Sequence, residues 1–163
     1  MAKTYEPIAT TTLGSAAASY TFSSIPSTYT DLVLVAVTKN SVVTVNGIFV
    51  RYNGDTASNY STTFLYGNGS AAVSSRASSQ TQAQMGWDGS TDFTPTIISV
   101  QNYANATTYK TALSRSNEPS SRVAAWVSLW RSTSAITSIT LTAESPANFA
   151  IGSTFTLYGI KAA

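Results

Sequence analysis

The side chains that could carry acid–base or metal chemistry are few. The chain has no His and no Cys, which removes the commonest general base, the Ser-His-Asp arrangement and zinc sites built on thiolates or imidazoles. Among its seven carboxylates, Asp88 and Asp92 lie close enough in sequence to resemble a glycosidase pair or a calcium site. Both flank a Gly-Ser turn, so we interpret them as turn residues. We therefore expect no catalytic residue, no metal and no cofactor.

Aromatic side chains are the better candidates for binding. Over residues 122–131, strand alternation puts Trp126 and Trp130 on one face, and Val123, Ala125, Val127 and Leu129 on the other. The aliphatic face is predicted to be the core. The tryptophan face then has three interpretations, which are a subunit interface, a sugar-stacking platform, or a second covered face inside the domain. Packing inside the domain is the common use of such residues, and the interface is the functional hypothesis.

The composition favours β-strands around one core. Hydrophobic residues make up 43% of the 163 residues and charged residues only 10%, against a usual charged share of about 25%. Thr and aromatic residues suit a half-buried strand. Trp 3, Tyr 9 and Phe 6 are too many for a disordered chain. We predict a single domain over residues 1–163, with residues 1–12 as an extended N-terminal arm.

Short β-rich runs recur between turn residues, with no sustained helical period. The near-continuous apolar run 31–38, which includes Leu32, Val33, Val35 and Val37, indicates a central strand covered on both faces. The polar stretch 74–84 is interpreted as a long loop with an edge strand or a short helix. Other strands are predicted at 16–22, 47–52, 60–66, 96–103, 107–114, 122–131, 136–143 and 153–161. This pattern predicts an all-β, antiparallel, jelly-roll-like sandwich of about eight or nine strands.

Charge and hydropathy argue against two classes of partner. The net charge is +2 and the nine basic residues are scattered, whereas nucleic-acid binding usually needs a clustered basic patch. No polybasic stretch or apolar run of about 18 residues predicts membrane association. The start of the chain does not read as a signal peptide. We therefore expect synthesis in the cytoplasm; a protein of this kind that acts outside a cell would be released by lysis or as part of a particle.

Several segments together resemble a known family. They are 22–32 (FSSIPSTYTDL), 50–55 (VRYNGD), 59–61 (NYS), 102–105 (NYAN) with 109–111 (YKT), and 152–160 (GSTFTLYGI). In their order and spacing they resemble small structural proteins of tailed bacteriophages, notably marine and cyanobacterial ones. The resemblance runs from about residue 5 to the end. It implies a non-enzymatic β-sandwich on the phage particle, made in the host cytoplasm, and it brings no catalytic residues.

Two functions follow from this resemblance. The first is a capsid decoration or cement protein that binds the major capsid protein or other virion proteins, and that associates with itself, as a trimer in our hypothesis. Its expected contacts are Trp126 and Trp130, together with Tyr5 and Pro7 of an arm that adds along a sheet edge. The alternative is a tail-fibre or receptor-binding module for a host glycan, with Trp87, Asp88 and Tyr60 as the contacts.

Overall fold

A computed structural model describes residues 4–42, 45–119 and 121–161. In these ranges the chain forms twelve strands and no helix. Nowhere in them is there an apolar helix of membrane-spanning length. The strands are β1 Tyr5–Thr12, β2 Ser19–Phe22, β3 Asp31–Thr38, β4 Asn46–Tyr52, β5 Tyr60–Gly67, β6 Ala72–Gln80, β7 Ala83–Asp88, β8 Thr94–Val100, β9 Lys110–Glu118, β10 Arg122–Trp130, β11 Ile139–Ala143 and β12 Thr154–Ile160.

The strands form two antiparallel sheets. The large sheet has eight strands in the order β1-β12-β3-β8-β9-β10-β5-β6, and the small sheet has four in the order β2-β11-β4-β7. Without β5, β6, β9 and β10, the remaining strands form two four-stranded sheets connected as a jelly roll. The predicted all-β, jelly-roll-like sandwich is therefore confirmed. The nine strands predicted from the sequence correspond to β2–β5 and β8–β12, and the other three strands are β1, β6 and β7.

The N-terminal segment belongs to the sandwich rather than to a free arm. Residues Tyr5–Thr12 form β1 at the edge of the large sheet and pair with β12, with a bulge between Pro7 and Ala9. Lys161, which follows β12, lies beside the start of this strand, because its amide donates to the Thr4 carbonyl at 3.1 Å. The Lys161 ammonium also forms an ion pair with Glu6 at 3.0 Å. The rest of the predicted arm, residues 1–3, lies outside the described residues.

The stretch 74–84, interpreted as a long loop with an edge strand or a short helix, contains most of edge strand β6 and the start of β7. All nine residues of β6 are exposed, so β6 has no alternation of apolar and polar side chains that would reveal it. It pairs with β5 at the far edge of the large sheet. In contrast, β7 is mostly buried, with Ala83 and Met85 in the core. In the sequence, Ala83 and Met85 alternate with polar glutamines, so this strand has no apolar run that would identify it.

The core lies between the two sheets. On β3, Leu32, Leu34 and Ala36 point inward and are at most 1% exposed. They face small-sheet residues such as Ile48 and Leu141, which are also fully buried. Because β3 lies between β12 and β8, its predicted central position is confirmed. The prediction that both faces of this strand are covered holds only for the inner face, because the outward residues, Val33, Val35 and Val37, are only partly covered.

Adjacent positions on β3 should therefore respond differently to a buried charge. Leu34→Asp places a carboxylate in the core and is expected to cost about 4 kcal/mol or more of the free energy of unfolding, enough to prevent folding. Val35→Asp places the same group on the partly solvated outer side, and a loss of about 1–2 kcal/mol is expected. Urea denaturation of both variants checks this. Equal losses at the two positions would contradict the assignment of the two faces.

Candidate functional site

The two tryptophans of β10 are core residues. Trp126 is 0% exposed and Trp130 is 2% exposed, whereas Val123 and Val127 on the opposite face are 65% and 53% exposed. The prediction that the aliphatic face is the core was therefore wrong, and Trp126 and Trp130 are not a subunit interface. The physical reason is area, because an indole buries far more apolar surface than a valine side chain. Packing inside the domain, the third interpretation, is the one observed.

Trp130 is the centre of an aromatic cluster at one end of the core. Its ring centroid lies 5.5 Å from that of Tyr52 and 6.3 Å from that of Tyr60. The indole N–H donates to Asp55 Oδ2 at 2.7 Å. The Tyr60 hydroxyl accepts from the Tyr52 amide at 3.0 Å, and Tyr60 is completely buried. The alternative function requires Tyr60 to contact a glycan, and its burial prevents that contact.

A second aromatic cluster surrounds Trp87. The ring of Trp87 meets those of Phe64, Tyr66 and Trp126 edge to face. The Arg122 guanidinium lies 4.8 Å from the Trp87 ring centroid, in a cation–π arrangement. Neighbouring rings and this guanidinium already contact the half-buried indole. Trp87 is therefore not an open stacking platform.

Asp88, the third predicted glycan contact, is fully buried at the end of β7. Its Oδ1 accepts from Asn40 Nδ2 at 3.2 Å. Burial raises the pKa of Asp88 to about 6, although hydrogen bonds from Asn40 and Thr38 oppose the rise. Asp92 lies in an exposed loop, so the two carboxylates do not share an accessible site. Within the described ranges no group of three or more Asp or Glu side chains is placed to hold a metal ion.

The outer face of the large sheet, which points away from the small sheet, is the most unusual surface. Strand register places Val127 opposite Leu113 on β9, and Ala125 opposite Leu65 on β5. Leu65, Leu113, Val123 and Val127 are each more than half exposed, and they form what we call the apolar patch. Contiguous exposed apolar surface of this kind marks binding sites in soluble proteins. The apolar patch is therefore the candidate functional site.

Two shallow depressions accompany the apolar patch. One, of about 280 Å³, is lined by residues that include Pro95, Ile97 and Val123. The other, of about 320 Å³, includes Val33, Leu113 and Tyr5. Ile97 and Arg115 line both. Arg115 thus lies at the middle of the outer face, between two apolar hollows.

Two of the predicted interface residues lie near this surface. Tyr5 on β1 is 59% exposed and lines the second depression. Pro7 is exposed on the same edge strand and pairs with Tyr158 of β12. Of the four predicted contacts, these two remain accessible, although they lie on an edge strand of the chain's own sheet.

Sequence patterns missed the apolar patch because polar side chains of β9 face the core between the two sheets, which leaves Leu113 on the outer face. On β9, the Ser114 hydroxyl donates to the Met85 carbonyl, and the Ser116 hydroxyl donates to the Trp87 carbonyl at 3.1 Å. These bonds hold β9 against β7 and satisfy backbone carbonyls of that edge strand. Leu113 and Arg115 are consequently turned outward. The alternation over residues 113–116, Leu-Ser-Arg-Ser, does indicate a strand. It does not indicate that the two serines face the core, because serines on a strand are equally compatible with a solvent-facing side.

The burial of Trp130 leads to a stability prediction. Trp130→Ala leaves a cavity beside Tyr52 and Tyr60, and removes one of the hydrogen-bond donors to Asp55. We expect a loss of about 3–5 kcal/mol in the free energy of unfolding. Val127→Ala on the same strand removes an exposed side chain and should change it by no more than about 0.5 kcal/mol. Urea denaturation at a single pH compares them, and a Trp130→Ala protein as stable as wild type would refute the core assignment.

The raised pKa of Asp88 leads to a prediction about pH. The folded state holds the Asp88 proton up to about pH 6, whereas the unfolded chain releases it near the ordinary value of 3.8. The folded state therefore binds more protons between these values, and this group makes the free energy of unfolding fall as the pH rises from about 4 to 6. The shift corresponds to about 3 kcal/mol.

Asp88→Asn keeps a neutral side chain of the same shape and removes this dependence. The variant should match wild type near pH 3.5 and exceed it in stability at pH 7 by up to about 3 kcal/mol. Denaturation curves of both proteins across this range test the difference. A constant difference between them at all pH values would mean that Asp88 has no raised pKa.

Neither a family model nor a curated protein matches the chain. The likeness to phage structural proteins therefore rests on the sequence segments alone.

Proposed function

We propose that the chain is a non-enzymatic structural protein of a tailed-phage particle, and that it decorates or cements the capsid through the outer face of its large sheet. The observation that carries this proposal is the apolar patch on the adjacent strands β9, β10 and β5. Such a surface, held rigid by paired strands, suits a protein partner that covers it. The sequence resemblance supplies the kind of particle.

The energetics of the patch are sufficient for such a contact. Fully burying one Val or Leu side chain contributes about 1.5–3 kcal/mol. Covering Leu65, Leu113, Val123 and Val127, which are already partly buried, would therefore supply several kcal/mol. A standard interface buries about 800 Å² on each partner, an area that the wide sheet offers without rearrangement. A protein that binds only the assembled shell stabilises that shell by mass action.

The non-enzymatic character is supported by the residues that remain for chemistry. The sequence contains neither His nor Cys. Asp88, whose pKa burial raises to about 6, is buried beside Asn40 rather than in an accessible cleft. The proposed place of action is the particle surface, after synthesis in the host cytoplasm.

The glycan-binding alternative has less support. Tyr60 and Asp88 are fully buried and Trp87 is contacted by other rings and by Arg122. The trimer hypothesis has also lost the residues on which it depended, because Trp126 and Trp130 pack inside one copy. Self-association, if it accompanies capsid binding, would need a different surface.

Capsid binding can be tested with heads of the phage whose genome carries this gene, purified without the chain. We expect saturable co-sedimentation of the wild-type chain with mature heads, and a rise in the temperature at which the heads release DNA. Val123→Ser/Val127→Ser should weaken binding at least tenfold because it removes half of the apolar patch. Ile151→Ser is the matched control, because Ile151 is 63% exposed in a loop outside the strands of the large sheet.

Two results would contradict the proposal. One is the absence of binding to both expanded and mature heads. The other is equal weakening by Ile151→Ser, which would mean that the loss is not specific to the outer face. Binding to a glycan array instead of heads would favour the fibre-module alternative.

A further inference from the structure

We infer that the surface covered by the outer face is an apolar protein surface that carries carboxylates, and that it is not a second copy of this chain. This inference rests on the proposed function and identifies the chemistry of the partner. It follows from two arginines on the outer face, Arg115 and Arg76, and from the positions of the acidic residues.

Both arginines point outward, Arg115 on β9, which carries part of the apolar patch, and Arg76 on β6, the edge strand next to β5. Arg115 lies opposite Ala125 of β10 and Ile97 of β8. Arg76 lies opposite Thr63 of β5, in the same row as Val127. Both are exposed. Neither guanidinium forms an ion pair or hydrogen bond with another residue in the described part of the chain.

The same face offers no carboxylate over strands β8, β9, β10, β5 and β6. The seven acidic residues of the sequence lie elsewhere. Glu6 and Asp31 lie toward the β1 side, where they contact Lys161 and the Asn102 amide, and Asp88 and Glu118 are buried. The remaining three, Asp55, Asp92 and Glu144, lie in loops between strands.

This charge distribution opposes pairing of two copies through the outer face. A face-to-face dimer would bring up to four guanidinium groups into a largely apolar interface that has no carboxylate. Burying unpaired charges costs several kcal/mol, which would cancel the gain from covering the apolar patch. The arginines therefore keep copies apart, as charged residues do on exposed sheet surfaces.

A partner with carboxylates at matching positions removes this cost. Guanidinium and carboxylate groups form paired, charge-assisted hydrogen bonds that are short and directional. With Arg115 between the two depressions, one such pair would lie at the centre of the interface, surrounded by apolar contacts. A central position of this kind is where interface residues contribute most to affinity.

Sedimentation of the isolated chain tests the exclusion of a second copy. Up to about 200 µM, wild type should not form dimers through the outer face. Arg76→Leu/Arg115→Leu should self-associate at concentrations at least tenfold lower, whereas Arg76→Lys/Arg115→Lys, the matched control, should behave like wild type. Wild-type dimers that Val127→Ser disrupts would overturn the inference. A leucine variant that stays monomeric would also overturn it, because the charges would then not be what prevents pairing.

Binding to heads tests the chemistry of the partner. Arg115→Glu should weaken binding at least tenfold, because it places like charges together, and Arg115→Lys only a few fold. Lys161→Glu makes the same change of charge at the sheet edge and should have little effect. If wild type binds heads and Arg115→Glu binds equally well, the carboxylate partner is refuted while the proposed function stands. If wild type does not bind heads, the proposed function fails, and sedimentation alone decides whether the arginines exclude a second copy.

Discussion

The direction in which β10 presents its tryptophans is the constraint on which the rest of the structure depends. Trp126 and Trp130 pack against aromatic rings between the sheets. Because successive side chains of a strand alternate between its two sides, Val123 and Val127 must then point to solvent. The register with β9 and β5 extends this choice to Leu113 and Leu65. The orientation of β10 thus determines both which side chains fill the core and which apolar side chains are exposed on the outer face.

The fold class was predictable from the sequence, but the identity of the two faces was not. Turn signals such as Asn53-Gly54, and the apolar run of β3, were sufficient to predict an antiparallel sandwich with β3 at its centre. The face of β10 was misjudged, because aliphatic residues occupy one side and aromatic residues the other, and either side is apolar enough for a core. A local pattern does not reveal which side faces the second sheet. That depends on contacts between residues far apart in sequence, such as Trp130 with Tyr52 and Tyr60.

The parts of the site that sequence could not reveal share a physical cause. Ser114 and Ser116 face the core because β7 needs hydrogen-bond donors at its open edge, and this need exists only once the sheets have come together. Asp88 resembled a turn residue, yet it is buried beside Asn40. Tyr5, by contrast, was expected to be available for contact, and it is exposed on the outer face. Exposed residues near an edge are easier to anticipate than polar residues that the core has enclosed.

The adjacency of Thr4 and Lys161, the first and last described residues, has a practical consequence for handling the protein. The Thr4 carbonyl accepts from the Lys161 amide, and the strands next to these residues, β1 after Thr4 and β12 before Lys161, are neighbours. A reporter attached before Thr4 or after Lys161 would therefore be tethered at the same margin of the sandwich, remote from Leu65 and β6 at the opposite margin. A short glycine-rich linker from Lys161 to Thr4 would also permit circular permutation of the described domain, with new ends opened in the exposed turn at Asn68 and Gly69.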